Sequence, residues 1–386
     1  FRYAADRAEE AQDPALVAKS LVNDAVTLSH AGDHAAALAA VDAPPASLVA
    51  RAQSVASKRD AVALTLALAD LFTRAAAALP GERTSLIRRA HDAYAAARSM
   101  AHESGQPLSV SYALGGLGRL YEMDSRLDEA LRLTREAAFL AQQAASPDAL
   151  YRWQWQTGRI LAAQGDPDRA LDHYRRAEAT LDRIRHDVAI GYGNRTLRSS
   201  FRDAVGDLYY QHADLLCRRA DAEPGAEQEH LTAALATFAR LKDAELSDYF
   251  QDDCVNLVRS KVQRQVHGVD PTAAVIYFIP LADRTEAVLN LPTGMARVRL
   301  SVGSAELDAE VRQFRRLLES RTTHRYIGPS RRLFDLLLRP LEPLLTEAGV
   351  RTLVFVPDGP LGTVPMAALH DGSRFLVERY AVAVTP

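Results

Sequence analysis

Cysteine and histidine are the residues of this sequence that could supply a nucleophile and its base. The chain has two cysteines, Cys217 and Cys254. A catalytic cysteine needs a nearby base and a lowered thiol pKa. Cys217 instead follows Leu215 and Leu216 in an apolar helical pattern, and Cys254 comes after two aspartates at the end of a helical pattern. We therefore predict that both cysteines are structural, and the sequence assigns no catalytic residue.

The histidines give no better signal for a base or a metal site. His370 precedes an Asp-Gly turn, where we expect a role in the turn rather than in catalysis. His30 and His34 are four residues apart and could form a metal pair, but no third ligand stands at a recognisable spacing. His324 lies in a polar loop. We expect no metal and no cofactor, and no glycine-rich phosphate loop with its lysine occurs.

Aromatic and basic residues could instead contact a protein partner. Trp153 and Trp155, with Tyr151, begin a helical pattern; core packing is the first interpretation, and a peptide-contacting groove stays open. Two groups of arginines follow. The first comprises Arg312, Arg315, Arg316, Arg331 and Arg332, and the second comprises Arg195, Arg198 and Arg202. Glutamates accompany the first group, which favours a solvated helical face, so the second is the stronger candidate for a ligand-facing strip.

Composition limits the class of protein. A net charge of −3 with 25% charged residues indicates no electrostatic footprint for nucleic acid. No apolar run is expected to reach the roughly 20 residues of a membrane span. Two cysteines indicate a reducing compartment, which favours a cytoplasmic protein. The sequence starts at Phe1 inside a helical pattern, so a signal peptide further upstream stays open.

An internal repeat organises residues 1 to about 265. Gly118 and Gly158 are forty residues apart, and so are Ala130 and Ala170. Small residues at these positions allow two helices to approach closely. Apolar residues recur at intervals of three and four, and strand-like runs are nearly absent. The pattern predicts an α-solenoid of about five helix pairs. Its last pair is expected over about 197–219 and 228–250.

After about residue 271 the apolar period changes from 3.6 to 2. Strands are predicted over 274–279, 287–291 and 297–302 as an antiparallel meander, the third with one wet face. Helices are predicted over 304–319 and 330–345, with Pro340 and Pro343 breaking the second. The run Leu353 to Val356 predicts a central strand buried on both faces. Two short strands are expected at 375–377 and 381–384. The fold class is thus multidomain α plus α/β.

Two stretches carry a resemblance to known families. Residues 353–372 read LVFVPDGPLGTVPMAALHDG, and residues 375–386 read FLVERYAVAVTP. Together they resemble the opening of a CHAT domain, a caspase/separase-like module often found behind tetratricopeptide (TPR) repeats in bacterial proteins. The forty-residue units resemble TPR repeats with lengthened helices. Residues 239–250 resemble the helix that commonly joins such repeats to a CHAT domain. The resemblance implies a TPR-like repeat domain over 1–265 and the N-terminal part of a CHAT domain over 271–386.

The resemblance also implies a function. Members of the CHAT family are cysteine endopeptidases whose catalytic histidine and cysteine end later strands, so we expect this sequence to end before either residue. It would then be the regulatory and scaffold part of a longer endopeptidase, whose TPR array binds protein or peptide partners on its concave surface. Those partners include the remaining half of the CHAT domain or a second copy of the chain. The alternative is a non-catalytic protein-interaction scaffold with an inactive caspase-like module.

Overall fold

Twelve helices occupy the part of the chain before Gln251 that the structure describes. The structure is a computed structural model, and it describes residues 1–43, 47–191, 201–250, 271–320 and 325–385. The helices are α1 Arg2–Glu10, α2 Pro14–His30, α3 His34–Asp42, α4 Leu48–Gln53, α5 Lys58–Ala78, α6 Arg83–Glu103, α7 Pro107–Met123, α8 Leu127–Gln143, α9 Pro147–Ala163, α10 Pro167–Gly191, α11 Phe201–Ala222 and α12 Glu227–Phe250. Consecutive helices pack as the pairs α2–α3, α5–α6, α7–α8, α9–α10 and α11–α12, which confirms the expected five.

The forty-residue period is repeated in the helix boundaries and in the turns. Helices α7 and α9 begin at Pro107 and Pro147, at a position where a missing N–H costs nothing. The turns that follow these two helices contain Ser125 and Gly165, both with positive φ, at 58° and 81°. A left-handed residue closes a helix by satisfying its last carbonyls. The same turn geometry therefore recurs one period later.

Glycine allows the paired helices to approach closely at equivalent places. A Cβ on Gly118 would lie 3.2 Å from the carbonyl oxygen of Ala130, and a Cβ on Gly158 would lie 3.4 Å from that of Ala170. The two glycines are forty residues apart in the sequence, and so are the two alanines that they contact. The prediction that Gly118 and Gly158 occupy equivalent packing positions is confirmed.

Helix α5 corrects the expectation about apolar runs. By length and composition this helix could cross a membrane, contrary to the expectation that no segment would reach that length. However, 61% of its apolar window is buried inside the protein. Leu68, Leu71 and Phe72 are among the fully buried side chains. Its apolar composition is therefore that of a core helix, since the central helix of an array is covered on several sides.

In the described part of the chain five strands form one mixed sheet, in the order β3-β2-β1-β4-β5. Their bounds are β1 Ala273–Pro280, β2 Thr285–Leu291, β3 Gly294–Leu300, β4 Thr352–Val356 and β5 Ala381–Val384. Strands β1, β2 and β3 pair antiparallel, which confirms the predicted meander. Strand β4 is parallel to both β1 and β5, so it has the strand partners on both sides that its apolar run predicted.

Three helices among the described residues after β3 cover one face of this sheet. They are α13 Ser304–Glu319, α14 Ile327–Leu337 and α15 Glu342–Glu347. Pro340 lies in the short 3-10 helix between α14 and α15, as predicted from the prolines. Leu353 and Phe355 of β4 point into this core, whereas Val354 and Val356 are half-buried. The prediction that β4 is buried on both faces is therefore wrong for the second face, which α11 and α12 cover only in part.

Residues 375–377 do not form the predicted strand. Only Phe375 makes an isolated bridge, to His370, and Leu376–Glu378 is a 3-10 helix. Leu376 is buried in the core of the sheet domain, and the Phe375 amide donates to the Glu378 carboxylate at 2.6 Å. A run of three apolar residues does not determine strand or helix by itself. Here the local hydrogen bond and the burial of one side chain favour the tight turn.

The last helix pair belongs with the sheet in the second of two compact units. These units are Phe1–Gly191 and Tyr192–Pro386. Within the second unit, Ala213 of α11 and Phe238 of α12 pack against Ile279 and Val288 of the meander. The predicted domain limits of 1–265 and 271–386 remain a prediction. Residues 251–270, which include the boundary between these two predicted domains, lie outside the described residues.

Candidate functional site

A buried carboxylate joins the helix pair to the end of strand β4. Asp358 follows β4 by two residues, and its side chain is fully buried. The ammonium of Lys242 on α12 lies 2.9 Å from its Oδ1, and the hydroxyl of Tyr210 on α11 donates to its Oδ2. A buried carboxylate is tolerated when it is paired and hydrogen-bonded. Both helices of the pair therefore contact the loop that leaves β4.

A second buried carboxylate, Glu286 of β2, is surrounded by arginines. Arg284 Nε donates to Glu286 Oε1 at 2.6 Å, and Arg299 Nε lies 3.4 Å from the same oxygen. Arg297 lies 3.6 Å from Glu286 Oε2. Arg284 also pairs with Asp214 of α11. The arrangement distributes one buried negative charge over three guanidinium groups at the contact between α11 and the meander.

Strand β3 has a polar face that is covered by a helix. The alternating arginines were expected to mark a wet face, but the Arg297 side chain is 10% exposed. Arg297 donates to Asp221 and to the carbonyl of Cys217, and Arg299 donates to Asp221 at 2.6 Å. Burial opposes ionisation of Asp221, but the two arginines outweigh it and hold the pKa of that carboxyl below its usual value. The expectation of a solvated face is therefore wrong for Arg297.

Cys217 is a structural residue in this arrangement. Its side chain is fully buried, and burial followed by the charge of Glu286 raises the pKa of its thiol to about 12. At neutral pH such a thiol stays protonated and is a poor nucleophile. His212, on the same helix, is 3.4 Å from Thr237 Oγ1 and 2% exposed. Cys254 lies outside the described residues.

The histidines singled out in the sequence have local roles. His370 Nδ1 accepts from the Gly372 amide at 3.0 Å, and its ring packs edge-on against Phe375 with centroids 4.9 Å apart. His34 Nδ1 lies 3.3 Å from Ser29 Oγ. Burial, followed by the charge of Arg74, lowers the pKa of His30. Among the described residues no group of three or more metal-ligating side chains comes together. His324 lies outside them.

The aromatic residues of α9 divide between the core and the surface. Trp153 is 8% exposed, and its indole N–H donates to Ser111 Oγ at 3.0 Å. Tyr151 is buried as well. Trp155 is half-buried, and the guanidinium of Arg159 lies 5.1 Å from its ring centroid. Core packing is therefore correct for the first two residues, while Trp155 is half-buried beside Arg159.

Four of the five arginines of the first group form ion pairs within or between their helices. Arg315 lies 3.5 Å from Glu319, Arg332 lies 3.0 Å from Glu310, and Arg331 lies 3.8 Å from Asp335. Arg312 pairs with Asp308. These contacts fit the predicted solvated face. In the second group, Arg195 and Arg198 lie outside the described residues, and nothing is described of the Arg202 side chain.

Sequence reasoning missed Asp358, Lys242 and Glu286. In the sequence, Asp358 precedes Gly359, and an Asp-Gly pair indicates a turn rather than a buried carboxylate. Its hydroxyl partner Tyr210 stands 148 residues earlier in the chain. A long-range polar contact leaves no periodic signal, so a single sequence contains no direct indication of it. The one signal available was the placement of Lys242 in the helix that resembles the joining helix.

Comparison with known proteins identifies the segment that contains Asp358. Residues 328–386 match the family model of the CHAT domain. This CHAT segment comprises α14, α15, β4 and β5, with the loop between the two strands. Strands β1 to β3 precede it and yet form one sheet with it. Asp358 is thus one point at which the CHAT segment contacts the helix pair.

Solved structures give a weaker likeness to part of this chain. BtubC (BKLC) from P. vanneervenii has a TM-score of 0.44 and 15% identity over 64% of this chain and 89% of that protein. A kinesin light chain protein with nearly identical TPR-like repeats, from Podosopora anserina, has a TM-score of 0.41 and 16% identity over 59% of this chain and 97% of its own. No curated protein matches the sequence. The chain thus combines an array of paired helices with a CHAT segment.

Proposed function

We propose that this chain is the regulatory and scaffold part of a bacterial, cytoplasmic CHAT-family cysteine endopeptidase. The TPR-like array binds protein or peptide partners, and the CHAT segment forms the first part of the catalytic module. Within this proposal the domains are 1–265 and 271–386, and the catalytic histidine and cysteine belong to polypeptide outside this sequence. A membrane span and nucleic-acid binding have no part in it.

One observation carries this proposal. Lys242 and Tyr210, on the two helices of the last pair, both contact Asp358 in the CHAT segment. The second contact, between Asp221 of α11 and the arginines of β3, holds the same pair against the meander. A change in the position of the helix pair would therefore move the loop that follows β4, because both helices contact Asp358 in that loop. This contact supports a regulatory relation between helices and module.

The experiment compares this chain with the full-length protein. Both are treated with a thiol-directed peptidyl probe, and the labelled cysteine is located by mass spectrometry. We expect labelling of the full-length protein at a cysteine outside this sequence, and cleavage of a peptide substrate that a Cys→Ala change at that position abolishes. Labelling of Cys217 or Cys254 together with peptide cleavage would overturn the proposal.

A second function, a scaffold without catalysis, is favoured by the state of Cys217. Its thiol is buried and has a raised pKa, so Cys217 is not an activated nucleophile. In that case the full-length protein would bind partners through its array and would fail to react with the probe. The same labelling experiment separates the two functions.

A further inference from the structure

A cavity of about 470 Å³ lies between the turn that joins α1 to α2 and the end of α4. This volume is within the range of small-molecule binding sites in proteins, roughly 300–1,000 Å³. All the residues that line the cavity belong to the first compact unit. The contact between the helix pair and the sheet does not use them. The cavity is therefore a candidate site of its own.

Part of the cavity wall is apolar. Val17 of α2 and Val55, which follows α4, both line the cavity and are 6% and 8% exposed. Pro14, Ala15 and Ala56 complete the apolar part of the wall. An apolar group of a ligand that enters here is removed from water, which favours binding in proportion to the area that is buried.

Three charged side chains line the same cavity. The guanidinium of Arg51 on α4 lies 4.0 Å from the Glu9 carboxylate of α1, a distance too long for a hydrogen bond. Arg51 has no shorter ion pair with any residue that the structure describes. Asp13 uses its Oδ1 to accept from the amides of Ala15 and Leu16 at 3.1 and 3.0 Å. Each of the three charged groups therefore retains capacity for a charged partner.

Hydrogen bonds hold both sides of the cavity in place. The Gln12 amide donates to the Glu9 carbonyl at 3.0 Å, and Gln12 has a positive φ of 55°, which closes the end of α1. Asp13 is the N-cap of α2. On the other side, the Ser54 hydroxyl donates to the Arg51 carbonyl at 2.9 Å. A site with a fixed backbone requires little ordering when a ligand binds.

We propose that this cavity binds a free amino acid with a large apolar side chain. The ammonium group of the ligand pairs with the carboxylates of Glu9 and Asp13, and its carboxylate pairs with Arg51. Its side chain packs against Val17 and Val55. This site goes beyond the proposed function, because it lies in the first compact unit and needs neither the CHAT segment nor a protein partner.

The spacing of the charges favours an amino acid over a ligand with one charge. In an amino acid the ammonium nitrogen and the carboxylate carbon are two bonds apart, roughly 2.5 Å. Arg51 and Glu9 are 4.0 Å apart, so a ligand that pairs with both needs its two charges close together. A simple amine would leave Arg51 facing a cation, and a simple carboxylate would face Glu9 and Asp13. An amino acid gives each group a charged hydrogen bond.

The experiment measures binding of matched ligands to the whole chain by isothermal titration calorimetry. The probes are L-phenylalanine and L-leucine, and saturable binding of at least one of them is expected. The comparison ligands are 2-phenylethylamine without the carboxylate, 3-phenylpropanoate without the ammonium group, glycine without the apolar side chain, and L-phenylalanylglycine with its two charges further apart. Each should bind at least roughly tenfold more weakly, because a charged or apolar contact is lost. Absence of saturable binding of both probes, or equal binding of any comparison ligand, would overturn the inference.

Charge variants assign the binding to the cavity. Arg51→Gln should weaken binding of the better probe roughly tenfold, as is typical for loss of one charged hydrogen bond. Glu9→Gln should weaken it roughly fivefold, since the Glu9 side chain is 63% exposed. The controls Arg98→Gln and Glu10→Gln remove the same charges from exposed positions outside the cavity and should change binding less than roughly twofold. Equal losses in a variant and its control would indicate general charge attraction and contradict the site.

A variant that fills the cavity tests the site without removing a charge. Ala56 lines the cavity and is exposed, so Ala56→Phe should leave the midpoint of thermal unfolding nearly unaltered while it weakens binding more than roughly tenfold. Folding of the charge variants is checked in the same way. Unchanged binding in Ala56→Phe, or in both Arg51→Gln and Glu9→Gln, would exclude the cavity. Neither result depends on the thiol-probe reaction of the full-length protein.

Discussion

The ammonium of Lys242 lies 2.9 Å from Oδ1 of Asp358, a carboxylate whose own side chain is completely buried. The lysine is 19% exposed, so one partner of the pair reaches solvent and the other does not. Lys242 is also 5.8 Å from the ring centroid of Phe238, one turn earlier on α12. The contact thus fixes a charged group of the CHAT segment against a helix that precedes the sheet.

Removal of the lysine should destabilise the second unit. Lys242→Met leaves Asp358 buried with the Tyr210 hydroxyl but without a cation, and we expect a loss of about 3–5 kcal/mol in the free energy of unfolding. Urea unfolding followed by circular dichroism measures it. The double variant Lys242→Met, Asp358→Asn removes the charge as well and should recover part of the loss.

A matched control is available at the surface. Lys19→Met removes the same charge from an exposed position on α2 and should change stability by less than about 0.5 kcal/mol. If Lys242→Met costs no more than Lys19→Met, Asp358 does not depend on its ion pair. The helix pair would then be held to the sheet mainly by its apolar contacts.

Gly116 offers a test of the packing between α6 and α7. Gly116→Ala places a Cβ 2.3 Å from the Tyr94 ring, and the resulting overpacking should cost about 1–3 kcal/mol. Gly81→Ala is the control, because nothing lies within 4 Å of its Cβ. The midpoints of urea unfolding of both variants are compared with the parent. Similar midpoints for the two variants would show that the helices separate easily.

The repeats could be predicted from the sequence because their packing is local and periodic. Gly118 and Gly158 stand at the same place in each pair, and the spacing alone showed it. The strand pattern of β1 to β3 was similarly visible. The covering of the polar face of β3 by α11 could not be predicted. In the sequence, Arg297 and Arg299 alternate with apolar residues in the way that solvent-facing residues do. Charged side chains face a helix here because Asp221 of α11 neutralises them.

The arginines around Glu286 should differ in their contributions. Arg284 is 9% exposed and donates to Glu286 at 2.6 Å, so Arg284→Met should cost about 1–3 kcal/mol by leaving that carboxylate poorly paired. Arg299 is 51% exposed, and Arg299→Met should cost less than about 1 kcal/mol. The free energies of unfolding of both variants are measured at the same salt concentration. Equal losses would mean that burial does not determine how much each ion pair contributes to the free energy of unfolding.

The thiol of Cys217 should make stability depend on pH in the alkaline range. The folded thiol has a pKa of about 12, whereas an unfolded thiol ionises at about 8.5. Above pH 8.5 the thiol ionises in the unfolded chain but stays protonated in the folded chain. The contribution of Cys217 to stability is therefore complete below about pH 8.5 and is lost as the pH rises towards 12. In a Cys254→Ala background, the advantage of Cys217 over Cys217→Ala should shrink by about 2 kcal/mol between pH 8.5 and 10. A constant advantage would contradict the raised pKa.

The same thiol should be unreactive in the folded chain. In the Cys254→Ala background Cys217 is the one remaining cysteine, and iodoacetamide at pH 8 should modify it far more slowly than a free thiol because the thiolate is absent and the sulfur is buried. Addition of guanidinium chloride should expose the thiol and restore ordinary reactivity. Modification is followed by the mass of the intact protein. Rapid alkylation without denaturant would show an accessible thiolate on α11, and it would reopen a nucleophilic role for Cys217 that its burial now argues against.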